Sequence, residues 1–180
     1  MIVLCSGTAV AQSSASDGLR LADLAKPQER EVQAVRFMLA VSPSPVSPAA
    51  RQCAVDAARS RSRQFFASLY QAELPEAVME QALRFFGSND GKGAVAIRQI
   101  HELRFTAAAM SGQGGLSEKV PYPANIQRAV DAFAATDAGR YFYWKDDLES
   151  RPRTREGLTD LRNRIVVECL ANAPAAPAKN

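Results

Sequence analysis

Few side chains in this chain have the types and spacing that catalysis or metal binding requires. His101 is the single histidine, and the cysteines are Cys5, Cys53 and Cys169. A Ser-His-Asp or Cys-His site would need His101 as its base, but His101 lies among apolar residues of a predicted helix, as an ordinary helix histidine does. The cysteine spacing does not fit a zinc site. We therefore predict no catalytic residues and no metal site.

An adjacent carboxylate pair and a glycine-rich segment are two other patterns that can carry chemistry. Asp146 and Asp147 are adjacent carboxylates, and carboxylate pairs carry out glycoside hydrolysis, but neighbouring helical residues point about 100° apart, which favours a solvated helix face. The glycine-rich segment from Ser111 to Gly115 has no strand before it and no Gly-Lys-Ser/Thr after it, so it is not a phosphate loop. We expect no enzymatic activity and no cofactor. A cell-envelope hydrolase acting on peptidoglycan is the alternative.

Length and charge narrow the class of protein. The 180 residues suit one domain with its own core, and the 22 basic residues are nearly balanced by 19 acidic ones. The arginines are scattered, the densest run being Arg59, Arg61 and Arg63, whereas nucleic-acid binders concentrate positive charge and add a reading motif. No segment approaches the roughly 18 apolar residues that a membrane span needs. We expect neither nucleic-acid binding nor a membrane span.

The N-terminus predicts export. Residues 1–11 are apolar or small and end in Ala9-Val10-Ala11, an A-x-A cleavage pattern. A basic n-region is missing and the apolar core is short, as in a signal peptide truncated by a start codon placed too far downstream. We therefore expect a periplasmic or secreted protein. The alternative is an ordinary cytosolic N-terminus, which would make the protein a cytosolic helical adaptor.

The cysteines agree with export. Cleavage after Ala11 removes Cys5 and leaves Cys53 and Cys169, and one pair in an oxidising compartment predicts a single disulfide. Two buried free thiols are the alternative.

Helical patterns dominate the remainder of the chain, and no run alternates long enough to predict a sheet. Prolines and glycines divide it into segments. The predicted helices run from Pro27 to about Val41, from Pro48 to about Ala72, from Pro75 onward, and from about Thr154 to Ala171. We predict an all-α fold, an irregular bundle of about six to seven helices. It forms a single domain over residues 12–172, followed by a disordered tail over 173–180.

An internal repeat organises this bundle. The segment from Leu74 aligns without a gap with the segment from Tyr122, and the repeats cover about residues 74–110 and 122–150. The Ser/Thr position fits the N-cap of a second helix, and the glycine falls in that helix's first turn, where a side chain would keep two helices apart. Each repeat is therefore predicted to be a helix, a capped corner and a second helix. The matched positions are Phe85, Ser88, Gly91 and Lys92, and Phe133, Thr136, Gly139 and Arg140.

The motif F-x-x-[ST]-x-x-G-[KR], present twice after a signal sequence, resembles the bacterial exported family labelled domain of unknown function 2059. The resemblance covers about residues 60–170. In that family a proline often follows the Ser/Thr, where this chain has Asn89 and Asp137. The resemblance implies an all-helical exported protein without an established enzymatic activity, and it supplies no catalytic residues.

A run of four consecutive aromatic residues begins at Tyr141. Helical geometry places Tyr141, Trp144 and Leu148 on one face, which we predict is buried, and makes Tyr143 the most exposed, with Phe142 between. Because exposed aromatics are enriched in binding hot spots, Phe142 and Tyr143 are the candidate partner surface. The alternative is that the run is mostly core.

Together these patterns favour a non-catalytic exported protein that binds an unknown protein partner, such as an inhibitor or an immunity protein that blocks a toxin. The oligomeric state stays open.

Overall fold

The structure is a computed structural model that describes residues 8–112, 120–143 and 147–172, with side chains from Ser16 onward. Within these ranges the chain forms eight helices and no strand, which confirms the predicted all-α fold. The helices are α1 Thr8–Ala25, α2 Gln28–Ala40, α3 Pro48–Glu73, α4 Glu76–Gly87, α5 Asn89–Met110, α6 Ala124–Ala134, α7 Arg140–Tyr143 and α8 Pro152–Asn172.

Helix α1 is the element that the sequence did not predict. Its buried residues Leu21, Ala22 and Ala25 pack into the core, and Gly18 lies directly against the backbone of Ala67 in α3. An added Cβ at Gly18 would overlap the Ala67 carbonyl oxygen, so the close helix contact requires glycine there. Residues 1–7 of the predicted signal peptide, and the predicted tail 173–180, lie outside the described residues.

Helix α3 is central, and α1, α2 and α8 pack along it. Ala50, Ala54, Ala58 and Ser62 are all buried on α3, and their spacing of four places them on one helix face. Side chains this small allow neighbouring backbones to approach closely. Ser47 begins the helix, since its hydroxyl accepts a hydrogen bond from the Ala50 N–H at 3.2 Å.

Two clusters of buried residues form the core. The first is aromatic and lies between α1, α3 and the repeats, and the second is aliphatic and lies between α2, α3 and α8. The half-buried ring of Phe65 packs against both clusters and so joins them. The largest fully buried side chains of the first cluster are Tyr70, Phe66, Phe86, Leu21 and Leu148, and those of the second are Ile165, Val32 and Val35.

The first repeat forms the predicted corner between α4 and α5. The Ser88 hydroxyl accepts from the Gly91 N–H at 3.0 Å and donates to the Phe85 carbonyl at 2.7 Å. A Cβ on Gly91 would overlap that same carbonyl oxygen of Phe85. The spacing of Phe, Ser and Gly is therefore one hydrogen-bonded unit that terminates one helix and caps the next.

The second repeat has the same corner. The Thr136 hydroxyl accepts from the Gly139 N–H at 3.1 Å and donates to the Phe133 carbonyl at 2.7 Å. A Cβ on Gly139 would overlap the carbonyl oxygen of Phe133. The rings of Phe85 and Phe133 stack with centroids 4.0 Å apart and planes 2° apart, so the two repeats pack against each other through equivalent residues.

The repeats differ in their second helices. Helix α5 has 22 residues, whereas α7 has only four. Pro75 and Pro123 occupy the N-cap position in both repeats, one residue before the predicted first-turn position. Lys92 and Arg140 are both exposed. The sequence predicted that the second helix of this repeat continues toward residue 150, whereas residues 148–150 form a turn.

The aromatic run folds differently from the predicted single helix. Helix α7 covers Arg140–Tyr143, and the Leu148 N–H donates to the Tyr141 carbonyl at 3.0 Å, a spacing that differs from the i to i−4 hydrogen bond of a helix. Leu148 is fully buried, as predicted, and Trp144 lies outside the described residues. The successive side chains Tyr141, Phe142 and Tyr143 are half-buried, and all three pack against the first core cluster.

Candidate binding surface

The predicted cysteine pair is bonded. Cys53 of α3 and Cys169 of α8 form a disulfide with Cα atoms 5.7 Å apart and a sequence separation of 116. Cys169 is buried in the second core cluster, whereas Cys53 is exposed. The bond joins one end of the central helix to the last described helix, and a structural disulfide fits an oxidising compartment.

The residues of the predicted partner surface, Phe142 and Tyr143, are half-buried. Phe142 contacts the rings of Tyr70 and Phe86, with centroids 5.7 and 5.1 Å away. Tyr143 meets the Phe85 ring edge-on at 6.4 Å, and burial raises its pKa to about 12. The aromatic side chains chiefly hold the two repeats together.

The exposed apolar surface lies instead on the C-terminal half of α5. The buried residues of this helix are Gly91, Ala94 and Val95, all in its first two turns. From residue 96 to 110 no side chain is buried, although the helix continues to Met110. We call this segment the α5 face. Ile97 is half-buried, and the other large apolar side chains are 43–51% exposed: Ile100, Leu103, Phe105 and Met110.

One cleft beside the α5 face lies between α2 and α5, and its lining includes Arg30 and Glu102 besides aromatic and small side chains. It has a volume of about 520 Å³, with Phe37 on one wall and His101 and Phe105 on the other. The Nδ1 atom of His101 is buried and has no hydrogen-bond partner in the described part of the chain. The His101 side chain as a whole is half-buried.

A second cleft lies on the other side of the α5 face, between α2, α3 and α5. We call it the arginine cleft: its volume is about 530 Å³, and Arg36 and Arg51 line it together with Leu103 and Met110. None of its lining residues is acidic. The Arg51 Nε donates to the Val46 carbonyl at 3.2 Å, and Arg36 has no ion pair within the described ranges.

A third, larger cleft has a different charge pattern. It lies between α3 and α8, has a volume of about 960 Å³, and is lined by four arginines and four carboxylates. Several of these charges neutralise each other: Arg61 pairs with Glu168 at 2.6 Å, and Arg151 pairs with Glu73 at 2.7 Å. This cleft is a solvated, charge-balanced surface, in contrast to the arginine cleft.

A buried carboxylate connects α2 to α8. Glu31 is 2% exposed, with its Oε2 atom 3.5 Å from the Arg162 Nε and its Oε1 atom 3.9 Å from the Arg30 Nε. Arg30 also pairs with Glu149. Burial raises the pKa of Glu31, and the two arginines oppose that rise. The group is an internal ion-pair network that fixes how these helices pack.

The three arginines Arg59, Arg61 and Arg63, which form the densest basic run, are each ion-paired, with Glu29, Glu168 and Asp23. Asp146 lies outside the described residues. Within the described ranges, no group of three or more His, Cys, Asp or Glu side chains is arranged to hold a metal ion. No described helix combines the length and apolarity needed to cross a membrane.

Comparisons with known proteins leave the family open. No family model, no curated protein and no solved structure matches the chain. The resemblance to domain of unknown function 2059 therefore stays a prediction.

The sequence pattern did not reveal the α5 face, for a physical reason. At 100° per residue, Ile100, Leu103 and Met110 fall within about 80° of one another, and Phe105 lies on the opposite side of the helix. A helix with apolar residues on several sides is ordinarily assigned to the core. One sequence signal could have indicated the α5 face. The helix has apolar residues on several sides and ends at a glycine-rich break, and few elements remain in the chain to cover it.

Proposed function

We propose that this chain is a non-catalytic, exported protein that acts by binding another protein through the α5 face. The observation that carries the proposal is the helical segment 96–110, which buries no side chain and exposes four large apolar ones. Large apolar side chains that are exposed on one segment of a folded protein are typical of interaction sites. We place the protein in the inhibitor or immunity class, and in the family labelled domain of unknown function 2059.

Export to the periplasm is supported by the disulfide and by the A-x-A pattern that ends at Ala11. Disulfides persist in oxidising compartments and are rare in the cytosol. The described contacts of α1 with the core, from Gly18 to Ala25, all follow Ala11 in the chain, so cleavage after Ala11 keeps these residues in the mature protein. Cell fractionation with mass spectrometry of non-reduced peptides tests this part. Full-length cytosolic protein with Cys53 and Cys169 both alkylatable would contradict it.

Photo-crosslinking in cells tests the binding surface. A benzophenone amino acid is placed at Leu103 or Phe105, and at Gln64 or Arg128 as exposed control positions outside the α5 face. We expect a discrete protein adduct from the two α5 positions and none from the controls. No adduct at either α5 position, in protein whose disulfide is intact, would overturn the proposed surface, as would equal adducts at all four.

A further inference from the structure

We infer that the partner segment that docks on the α5 face is acidic, an amphipathic helix whose carboxylates pair with Arg36 and Arg51. This inference rests on the proposed function and specifies the chemistry of its partner.

The arginine cleft concentrates positive charge. Arg36 and Arg51 line it with no acidic residue among the lining residues, whereas four arginines face four carboxylates in the α3–α8 cleft. A site that concentrates one sign of charge attracts partners of the opposite sign. The arginine cleft is therefore electrostatically complementary to an acidic segment.

The carboxylates near Arg36 are already paired with other arginines. On its other side Arg36 borders a cleft that also contains Asp23, Glu29 and Glu102. Asp23 binds Arg63 at 2.5 Å and Glu29 binds Arg59 at 3.0 Å. Glu102 is 3.9 Å from Arg98, the same helix's arginine one turn earlier. None of the three pairs with Arg36.

The arginine cleft also offers apolar contacts. Leu103 and Met110 lie on the α5 edge of the arginine cleft, and Leu39 and Val55 line it from α2 and α3. Residues 103 and 110 are seven apart, so they lie on the same side of α5. An amphipathic helix can place an apolar stripe along Leu103 and Met110 and its acidic flank against the arginines, which is helix-in-groove recognition.

The charge also disfavours a second copy of this chain as the occupant. Two copies meeting through the α5 face would bring Arg36, Arg51 and the exposed Arg104 of each toward the same residues of the other. Like charges brought together in this way oppose association.

The test is selection from a displayed library of helical peptides against the oxidised protein, followed by fluorescence anisotropy of the enriched peptides. We expect the enriched sequences to carry excess Asp and Glu beside an apolar stripe. R36E/R51E should weaken their binding at least about tenfold, because charged groups in such pairs form strong hydrogen bonds. R36E alone should weaken it less, and it covers the case in which the Arg51 substitution disturbs α3. R153E/R164E is the matched control, since it changes the net charge equally in the α3–α8 cleft, and it should bind as the wild type does.

The outcomes separate this inference from the proposed function. Leu103→Asp removes an exposed apolar contact and should abolish binding in either case. If Leu103→Asp abolishes peptide binding but R36E/R51E leaves it unchanged, the α5 face remains the binding surface and the acidic partner is refuted. Peptides indifferent to Leu103→Asp, or no enriched peptides at all, would overturn both. A wild-type dimer that Leu103→Asp converts to monomer would make a second copy the occupant and refute the acidic segment.

Discussion

Replacing Gly91 with alanine tests the physical reason for the repeated motif. In an ordinary helix this change stabilises the protein by about 0.5–1 kcal/mol, because alanine has the higher helix propensity. At Gly91 the new methyl group would overlap the Phe85 carbonyl oxygen, a backbone atom that cannot rotate away. Helices α4 and α5 would have to separate, and the Ser88 hydrogen bonds at 2.7 and 3.0 Å would lengthen.

Steric overpacking typically costs about 1–3 kcal/mol. After subtracting the gain in helix propensity, we expect Gly91→Ala to lower the free energy of unfolding by about 1–2 kcal/mol. With a urea dependence near 2 kcal/mol per molar, the unfolding midpoint should fall by roughly 0.5–1 M. Urea titration of the oxidised protein, followed by circular dichroism, measures this shift.

Gly87→Ala is the matched control four residues away. A Cβ there meets only the Leu24 side chain, at an ordinary contact distance of 3.9 Å. This variant should be as stable as the wild type or more stable, by up to about 1 kcal/mol. If Gly91→Ala were stabilising, or equal in effect to Gly87→Ala, the steric explanation of the motif would be refuted.

Three further predictions concern the core and the disulfide. Cys53→Ser opens a loop with a sequence separation of 116, and the chain-entropy model expects a loss of about 4–5 kcal/mol in unfolding free energy; a change under about 1 kcal/mol would contradict it. Phe133→Ala removes the ring stacked on Phe85 and should lower the free energy of unfolding by about 3–5 kcal/mol, measured by thermal or urea unfolding. A near-neutral result would show that this stack is not a main contact between the repeats. Because burial raises the pKa of Glu31 above its ordinary value of 4.5, stability from this group is fully present below that value and is lost as pH rises through the raised pKa. Glu31→Gln should flatten that decline above the ordinary carboxyl pKa of 4.5 in urea titrations, and an unchanged pH dependence would show that Glu31 is not its source.

The sequence predicted the parts of the fold that local chemistry determines. Prolines and N-caps placed the starts of α3, α4 and α6 within about one residue, and the repeated Ser/Thr and Gly positions identified both corners. Helix α1 was missed because its contribution comes from small residues such as Gly18 and Ala22 that touch α3 only in the folded chain.

The proposed surface on α5 differs from the predicted surface at Phe142 and Tyr143 for a related reason. An aromatic such as Tyr143 looks exposed when a helix is projected from the sequence, but its ring packs against the first core cluster. Conversely, Leu103 and Met110 look like core residues in sequence, and only the tertiary arrangement shows that nothing in the described chain covers them. Burial depends on which elements meet, and local periodicity does not contain that information.

The central claim is that a protein partner binds on the α5 face. Amide hydrogen exchange of the oxidised protein, with and without the partner identified by crosslinking at Leu103 or Phe105, tests it most directly. We expect protection on binding at residues 96–110 and at the neighbouring part of α2, with no change in α7. Protection confined to other elements, with exchange over residues 96–110 unchanged, would contradict the account.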